Sequence, residues 1–596
     1  MNNPAELVVP RVQAAIATAF GDEFRQADPV VRPSQFADIQ INAAMALAKK
    51  AGLPPRDAAA KIVAALDLDG ICTGVEISGP GFINLSYDGT WIEELLNSES
   101  AEAASPATAV PPAATPQRVV VDYSSPNVAK EMHVGHLRTT VVGDSLVKVL
   151  EALGDSVIRQ NHIGDWGTPF GMLIEHWLEI GEDSPETALL VEDPSAFYQA
   201  ARAKFDASAT EADGFATRAR LRVVALQGGD QETFAVWQRL VAQSKRYFNA
   251  IYSKLGISLT DDHIAGESSY DAHLAQLCQE LEERGLARTS DGALCTFPEG
   301  FTGRDGQPLP LIIRKSDGGY GYGTTDLATI RYRVRDLEAD RILYVVGAPQ
   351  NVHLRMVMAT ARDAGWLPDT VEAVHVQIGN VLGEDGKILK SRSGAPVKLM
   401  ALLEEAVDRA RAVIDASRPE LSDEERAVTA RQVGIGAVKY ADLSTGHDTE
   451  YVFDFDRMLA LSGNTGPYVQ YAAARIRSIL RKAGVLEQFT SGDATESGAD
   501  GPATAIAVVE PAERALALHL LEFDTTLNKV RDTLEPHRLC GYLFELAQLF
   551  TSFYDQCPVL KAEESVRNSR LALCALVLRR LSLGLDLLGI ETPENM

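Results

Sequence analysis

The sequence predicts an α/β protein of several domains, with a parallel sheet in its central part and an all-helical C-terminal part. The chain has 596 residues, which is too long for one domain at about 100–200 residues per domain. In the central part, short β-branched runs alternate with amphipathic helical segments, a pattern typical of a parallel sheet. Beyond residue 400 the strand signal disappears and long helical periods replace it.

The N-terminal unit is predicted to be a small α+β domain over residues 1–96. It begins with helical periodicity and closes on strand-like runs at residues 75–77 and 82–85. Residues 97–117 consist largely of Ala, Pro, Ser and Thr, which cannot bury a useful apolar face. They therefore predict a linker to the next domain.

The central part is predicted from β-branched runs, and the C-terminal part from helical periods. The β-branched runs lie at residues 119–121, 157–158, 342–346 and 374–378. The helical periods lie at residues 505–521, 539–554 and 569–588, after a polar loop at 490–502. The order along the chain is therefore small α+β, then α/β, then all-α.

Composition excludes several classes of protein. The formal net charge of −26 excludes a globally basic protein that coats nucleic acid by bulk attraction, although a local basic face stays possible. No apolar stretch approaches the roughly 18 residues of a membrane helix, and the N-terminus does not have the pattern of a secretory signal. Six widely spaced cysteines without a CxxC pair favour reduced thiols and a cytoplasmic location over zinc or disulfides.

The most informative segment is RVVVDYSSPNVAKEMHVGHLRTTVVGDSLVKVLEALG, at residues 118–154. A buried strand ends near Tyr123, a turn follows, and HVGH leads into a helix that Gly154 can stop. Such strand–turn–helix units bind nucleotides at the carboxyl end of a parallel sheet. The glycine permits close approach, and a helix N-terminus favours phosphate. On its own, HxGH fits equally well a core helix start with two solvent-facing histidines.

The run around HVGH resembles the class I arginyl-tRNA synthetase family, whose ATP motif has the form HxGH. Further blocks resemble that family in the same order along nearly the whole chain: NHIGDWGTPFG (161–171), SDGGYGYGTTDLATIRYR (316–333), LYVVGAPQNVH (343–353), GKILKSRSG (386–394), TGPYVQYAAARIRSIL (465–480) and LLGIETPENM (587–596).

The resemblance implies a particular domain order. A Rossmann-like parallel-sheet catalytic domain of the HxGH/KMSKS class I type would span 118–400, with a connective segment inserted at about 172–265. The N-terminal α+β domain would be an additional tRNA-binding domain. A helical stem-contact region at 401–464 would precede an all-α anticodon-binding domain at 465–596.

The implied activity is ATP-dependent ligation of L-arginine to tRNA(Arg) through an arginyl-adenylate, with release of AMP and pyrophosphate. His133, His136 and Lys390, aided by Lys387, would be catalytic, and positioning and charge stabilisation would suffice. ATP would also contact Gly135 and Lys130, and would carry the Mg²⁺, since no ligand cluster predicts a metal bound by the protein itself. The resemblance implies a monomer, and the lack of a long apolar stretch predicts no membrane partner.

Substrate choice is expected to depend on acidic groups, because carboxylates bind a guanidinium through two parallel hydrogen bonds. By resemblance, the arginine pocket comprises Asp122, Asn127, His133, Tyr322, Asp326 and Gln350. Asn127, His133 and Gln350 would hold the α-amino and carboxylate groups. Asp122 ends an apolar strand and needs a partner, whereas Asp326 fits a helix cap and Tyr322 fits simple packing equally well.

The tRNA contacts are also implied by resemblance. They are Phe82 and Asn84 at the tRNA elbow, and Tyr468, Gln470, Tyr471 and Arg475 at the anticodon or its stem. Aromatic and amide side chains suit bases in single-stranded loops. From the residues alone, Phe82 fits the core equally well, and a basic helix face is typical of a solvated surface.

Two departures and three rival functions accompany this hypothesis. The family often has glutamine at the position of Met356, and the lysine loop reads KILKS rather than KMSKS.

The rival functions are another HxGH nucleotidyl-transferring enzyme, a non-catalytic tRNA-binding paralogue, and a specialised duplicate synthetase. A short adenylyltransferase needs no long helical C-terminal part, and a non-catalytic paralogue is expected to have lost His133, His136 or Lys390.

Overall fold

The computed structural model describes residues 2–104, 109–187, 194–211, 213–303, 306–390, 397–490 and 505–596. Its α-helices, numbered α1 to α21 in chain order, are Pro4–Phe20, Ala43–Ala51, Pro55–Ala65, Gly89–Glu102, Val134–Ala152, Thr168–Ile180, Pro194–Ala207, Phe215–Gln227, Gln231–Leu255, Asp271–Glu283, Tyr322–Arg335, Asn351–Asp363, Leu399–Ser417, Asp423–Leu443, Phe455–Met458, Gly466–Lys482, Leu486–Thr490, Pro511–Leu520, Phe523–Thr533, His537–Gln556 and Glu564–Leu587. Among these helices, none is long and apolar enough to cross a membrane.

The strands form two larger and two smaller sheets. Numbered β1 to β13 in chain order, they are Val31–Pro33, Ile39–Ile41, Cys72–Ser78, Phe82–Tyr87, Arg118–Tyr123, Ser156–Gln160, Ala287–Ser290, Ala293–Thr296, Leu311–Arg314, Arg341–Gly347, Glu372–Ile378, Val381–Leu382 and Tyr451–Val452. The two-residue strand β13 is a small exception to the expectation that strands end near residue 400.

The central sheet is parallel throughout, with the strand order β11-β10-β5-β6. Each of the four β-branched runs of the sequence is one of its strands, so the predicted parallel sheet is confirmed. Val119, Val120 and Val121 of β5 are completely buried, because helices cover both faces. From β5 the chain turns to β6 on one side and later reaches β10 on the other. A crevice at such a switch point is where these sheets bind ligands.

Helix α5 follows β5 directly and begins at the HVGH turn, as predicted. His133 is its N-cap residue; the helix ends at Ala152, with Leu153 as its C-cap residue and Gly154 after it at φ +85°. A left-handed conformation of this kind favours glycine at a helix C-terminus. The helix is buried over most of its length, which fixes the direction of its N-terminus relative to β5.

The N-terminal domain is built on an antiparallel sheet with the order β1-β2-β4-β3. The two predicted strand runs lie in β3 and β4. Helix α4 continues to Glu102, into the segment expected to be a linker, because Ile92 and Leu96 are buried and Asn97 exchanges hydrogen bonds with the backbone of Ile506. Residues 105–108 of that segment lie outside the described residues.

The C-terminal part is helical, as predicted, but the first of its expected helices begins later. Helix α18 starts at Pro511, and residues 505–510 are not helical. Proline favours the first helical position, and Glu510 and Glu513 form a capping box there. The helices α20 and α21 match the other two predicted periods. The polar loop predicted at 490–502 lies, after its first residue, outside the described residues.

A buried ion pair joins α5 to α14. Arg138 Nε donates to Asp442 Oδ1 at 2.5 Å, and both side chains are almost fully buried. The same guanidinium donates to the carbonyl oxygens of Gly446 and Thr449, at 3.2 and 2.7 Å. Burial raises the pKa of Asp442 to about 6, against the opposing effect of Arg138. The pair therefore anchors the helix that carries HVGH to α14, a helix that follows the last strand of the parallel sheet.

Replacing Arg138 alone by methionine should destabilise the protein by roughly 3–5 kcal/mol, because a buried carboxylate then lacks its counter-charge. The double variant R138M/D442L should be less destabilised than R138M, since the unpaired charge is removed as well. Urea denaturation measures both. The control is Glu151→Gln, which weakens a partly exposed pair with Arg159 and should cost under about 1 kcal/mol. A similarly small loss for R138M would contradict the anchoring interpretation.

Candidate functional site

A cavity of about 1010 Å³ opens at the carboxyl edge of the parallel sheet. The end of β5 and the starts of α5, α11 and α12 surround it. Every residue that the sequence analysis assigned to the amino-acid pocket lines it, together with the HVGH glycine and second histidine: Asp122, Asn127, His133, Gly135, His136, Tyr322, Asp326 and Gln350. Met356 lines it as well.

In both histidines of the HVGH turn, Nε2 is the ring nitrogen that can donate a hydrogen bond. His133 Nδ1 accepts a hydrogen bond from the Gly135 backbone N–H at 3.0 Å, and His136 Nδ1 accepts one from the His133 N–H at 3.1 Å. An accepting nitrogen of a neutral imidazole carries no proton, so the proton of each ring resides on Nε2. The turn thus fixes the tautomer of both rings.

Burial also keeps both imidazoles neutral. It lowers the pKa of His136 to about 3, with a smaller contribution from His133. The pKa of His133 is lowered by burial and by the charge of Lys130. The two ring centroids lie 4.1 Å apart. Gly135 permits this arrangement, because a Cβ atom there would lie 2.8 Å from Cε1 of His133.

Asp122 is already paired within the chain. Its Oδ2 accepts a hydrogen bond from Arg333 Nη2 at 2.7 Å, and its Oδ1 accepts one from Ser125 Oγ at 2.9 Å. Arg333 is completely buried and also donates to Gln160 Oε1 at 2.6 Å. The partner that the sequence required for Asp122 is therefore Arg333, and Asp122 does not offer a free carboxylate to a ligand.

The carboxylate of Asp326 is more exposed to the cavity than that of Asp122. As the spacing predicted, it lies one turn after Tyr322 in α11. His353 Nε2 lies 2.5 Å from Asp326 Oδ2, and His162 Nε2 lies 3.9 Å from Oδ1. The Tyr322 ring contacts the His353 ring edge-on, with 4.7 Å between centroids.

Sequence reasoning missed Glu267, which lines the same cavity. Burial raises the pKa of its carboxyl to about 7; His162 opposes the shift, and Asp326 and Asp165 add to it. Glu267 begins a short 3-10 turn and belongs to no periodic run or motif, so no pattern marked it. Arg333 was also missed, although it stands seven residues, about two helical turns, after Asp326 in α11.

Asn127 and Gln350 hold the predicted positions at the cavity. The backbone of Asn127 bridges to Gly164, in the block that follows β6. Gln350 ends a 3-10 turn directly before α12 and is exposed. Their side-chain amides make no hydrogen bond with each other or with the histidines of HVGH in the described residues, so the cavity keeps them as polar groups open to a ligand.

Two of the predicted lysines, Lys387 and Lys390, line a different cavity of about 1080 Å³. Lys387 ends the predicted turn, in which the Gly383 N–H donates to the Lys387 carbonyl at 2.8 Å and Gly386 has φ +70°. Lys390 follows on the same lining. Lys130 lies over the ring of Tyr198 on α7, with Nζ 4.3 Å from the ring centroid. Residues 391–394 of the lysine block lie outside the described residues.

The chain that returns from the lysine segment pairs with HVGH. The Val134 N–H donates to the Val397 carbonyl at 3.0 Å, and the Leu399 N–H donates to the Met132 carbonyl at 2.9 Å. Val397 also lines the lysine cavity. Residues 397–399 are thus joined to the HVGH turn by an antiparallel bridge, although the two segments are far apart in the sequence.

Three family models match the chain in succession. They are the arginyl tRNA synthetase N terminal domain at residues 8–87, the catalytic domain of class I tRNA synthetases (R) at 104–455, and the DALR anticodon binding domain at 469–596. The catalytic model alone covers more than half of the chain.

The chain belongs to the class I arginyl-tRNA synthetase family.

Members of this family match over the full length. The arginine–tRNA ligase of Thermobifida fusca is 63% identical and covers 100% of both chains, and that of Frankia casuarinae is 50% identical and covers 99% of each. The arginyl-tRNA synthetase structure from Plasmodium falciparum matches with a TM-score of 0.81 at 28% identity, over 99% of both chains. The structure from Thermus thermophilus matches with a TM-score of 0.76 at 26% identity, over 98% of this chain and 99% of that one. The predicted fold class is confirmed.

The two candidates for the tRNA elbow lie on β4 of the N-terminal sheet. Phe82 is half-buried, whereas Asn84 is buried. Asn84 Oδ1 accepts hydrogen bonds from Ser34 Oγ and Gln40 Nε2, and its Nδ2 donates to Ser78 Oγ. Asn84 therefore has to exchange existing hydrogen bonds before its amide can contact a base.

The four candidates on α16 differ in exposure. Tyr471 is exposed and, with Leu461 and Met596, lines an apolar cavity of about 250 Å³. The Tyr468 ring packs 5.5 Å from that of Phe544, and the Arg475 guanidinium lies 4.4 Å from the ring centroid of Tyr554. Met596, the last residue of the chain, was not a sequence candidate for this surface.

Gln470 does not fit the role that was expected of it. Its side chain is completely buried, and Nε2 donates to the carbonyl oxygens of Gln432 and Glu591, at 3.1 and 2.8 Å. These bonds tie α16 to α14 and to the C-terminal tail. A contact with RNA requires an exposed group, so we do not retain Gln470 as a tRNA residue.

Replacing Glu267 by glutamine should stabilise the protein more at pH 8 than at pH 5. With a folded pKa of about 7 against an ordinary 4.5, the folded state loses stability as the pH rises through that window, and glutamine removes this loss. We expect a gain of roughly 1–3 kcal/mol at pH 8. Thermal denaturation at both pH values measures it, with the exposed Glu299→Gln as control. An equal effect at both pH values would contradict the raised pKa.

Proposed function

We propose that this chain ligates L-arginine to tRNA(Arg) at the expense of ATP, through an arginyl-adenylate, releasing AMP and pyrophosphate. One observation carries the proposal: a single cavity unites the two imidazole donors of HVGH with an acidic end at Asp326 and Glu267. Membership of the class I arginyl-tRNA synthetase family supports the same enzymatic reaction.

In the first step, the arginine carboxylate attacks the α-phosphate of ATP and pyrophosphate leaves. Neutral His133 and His136 donate hydrogen bonds to phosphate oxygens from Nε2, and so stabilise the charge that develops at phosphorus. Gly135 allows the backbone to approach the nucleotide closely. Lys390, aided by Lys387 and Lys130, neutralises the departing pyrophosphate, as mobile ammonium groups can. No covalent intermediate with the protein is needed.

The guanidinium of arginine binds at the acidic end of the cavity. Asp326 and Glu267 accept its hydrogen bonds, and Tyr322 packs beside them. Binding of the cation favours the ionised form of Glu267, whose pKa is about 7 in the free cavity. Asp122 contributes only indirectly, because Arg333 already occupies its Oδ2 and Ser125 its Oδ1. A lysine substrate would leave part of this acceptor array unpaired, which is how buried polar groups reject a near-cognate substrate.

The other end of the amino acid faces the reacting phosphate. Asn127, Gln350 and His133 hold its α-amino and carboxylate groups, and this keeps the carboxylate oriented toward the nucleotide. In the second step the terminal ribose of tRNA accepts the arginyl group, through the 2′-hydroxyl that class I enzymes use. The reaction therefore requires that arginine bind with its guanidinium at the acidic end of the cavity and its carboxylate toward the nucleotide.

The tRNA would extend over several parts of the chain. We propose residues 1–96 as the elbow-binding domain with Phe82 and Asn84, 97–117 as its connection, 118–400 as the catalytic domain with an insertion at about 172–265, 401–464 as a stem contact and 465–596 as the anticodon domain. The apolar cavity beside Tyr471, with Tyr468 and Arg475 nearby on α16, offers stacking and apolar contact to an unstacked base.

ATP is proposed to bring its own Mg²⁺. The described part of the chain contains no group of three or more His, Cys, Asp or Glu side chains suited to a metal, and Mg²⁺ commonly binds through nucleotide phosphates and water. We further propose that the enzyme acts as a monomer in the cytoplasm. Six unpaired cysteines support the cytoplasmic location.

The rival functions receive less support. A small-molecule adenylyltransferase does not explain the match to arginine–tRNA ligases over the whole chain. A non-catalytic paralogue does not explain the retention of His133, His136 and Lys390. No observation favours a specialised duplicate over the general ligase.

Amino-acid-dependent exchange of pyrophosphate into ATP tests the proposed function. It should be supported by arginine, and far less by lysine, glutamate or cysteine, in assays with and without tRNA. The comparison of the two series also shows whether activation requires tRNA. Exchange supported best by another amino acid would reject the substrate assignment, while retaining the reaction class.

His136→Ala and Lys390→Ala should each slow adenylate formation by roughly 100-fold or more, since each removes a group that stabilises transition-state charge. Binding of tRNA should change much less. Single-turnover adenylation and filter binding measure the two effects. His273→Ala, on the exposed face of α10, is the matched control. An unchanged adenylation rate in either variant would remove that residue from its role.

A further inference from the structure

The side chain that orients Asp326 is His353, in the first turn of α12. Its Nε2 lies 2.5 Å from Asp326 Oδ2. A carboxylate oxygen can only accept, so Nε2 carries the proton and donates. Among the residues that the structure describes, no other hydrogen-bond donor reaches this carboxylate, since His162 Nε2 stands 3.9 Å from Oδ1.

The position of His353 is itself fixed from two sides. Its ring meets the Tyr322 ring edge-on at 4.7 Å, and Tyr322 belongs to the same helix face as Asp326. The neighbouring Leu354 is buried and Met356 two residues further is buried as well, so α12 is held against the core. The first turns of two helices thus supply one cluster of side chains, which consists of Tyr322, Asp326 and His353.

The geometry leaves one carboxylate oxygen for a ligand. A carboxylate on a freely rotating side chain presents its two oxygens in many directions, whereas a guanidinium needs them in one plane. A donor fixed on Oδ2 sets that plane and leaves Oδ1 as the oxygen available to a ligand in the cavity that both side chains line. The benefit comes from preorganisation rather than from a contact of the histidine with the phosphates.

We propose that His353 is a positioning residue for arginine selection, which acts through Asp326 and not on the nucleotide. This inference rests on the proposed function, because it assumes that the cation bound at Asp326 is the arginine side chain. It assigns His353 a task different from that of His133 and His136, which donate to phosphate.

The proposal predicts a specific kinetic pattern. His353→Ala should raise the KM for arginine roughly 10- to 100-fold, the range expected for losing a charge-assisted hydrogen bond. The KM for ATP and the kcat should stay within about threefold. His353→Gln should recover most of the loss, since its amide N–H reaches about as far as Nε2 and donates in the same way.

A double-mutant cycle separates positioning from other roles. In an Asp326→Asn background, His353→Ala should add less than about threefold to the KM for arginine, because the carboxylate it orients is gone. His273→Ala is the matched control. The side chains of His353 and Asp326 are 15% and 18% exposed, so thermal denaturation should show intact folding in each variant.

Three results would overturn the proposal: a fall in kcat with an unchanged KM for arginine, a glutamine variant as impaired as the alanine variant, or fully additive effects with Asp326→Asn. Failure of the proposed function has a different signature. In that case the unmodified enzyme would not support arginine-dependent exchange at all, whereas here it would be active and only the His353 variants would depart from the expected pattern.

Discussion

The buried pair of Arg333 and Asp122 is the interaction on which the shape of the cavity depends. It crosses from α11 to the end of β5, the strand from which the HVGH turn begins. A charge removed from water at that depth is stable only with a well-placed partner. Because Arg333 stands two helical turns after Asp326, fixing its guanidinium also fixes α11, the helix that carries Asp326. This contact therefore joins the strand that leads to the HVGH turn to the helix that carries the acidic end of the cavity.

The protein divides its electrostatic tasks between neutral and charged groups. His133 and His136 are kept neutral by burial, so they add donors without placing permanent charge beside the sheet. The permanent positive charge is carried by lysines on a solvent-exposed turn, where desolvation costs little. The acidic end is different again, because burial, with a smaller contribution from Asp326, raises the pKa of Glu267 and so makes its ionised form costly until a cation arrives. A chain with a formal charge of −26 can in this way still hold a polyanionic nucleotide.

Local patterns predicted the parts of the structure that local chemistry decides. The strand before HVGH, the helix after it and the turn before Lys387 follow from β-branched runs, capping and glycine placement. The shared face of Tyr322 and Asp326 follows from their spacing. The partner of Asp122 lies 211 residues away, and the burial of Gln470 depends on the C-terminal tail. Such outcomes depend on tertiary packing, which periodicity does not describe.

The antiparallel bridge between Val397–Leu399 and Met132–Val134 has a mechanical consequence. Two segments that share backbone hydrogen bonds move together. Separating them exposes N–H and carbonyl groups that then need new hydrogen-bond partners. Residues 397–399, downstream of the lysines, are thus hydrogen-bonded to the HVGH turn, for which we propose nucleotide binding. A displacement of the Val397–Leu399 segment therefore has to move the HVGH turn with it or break these backbone hydrogen bonds.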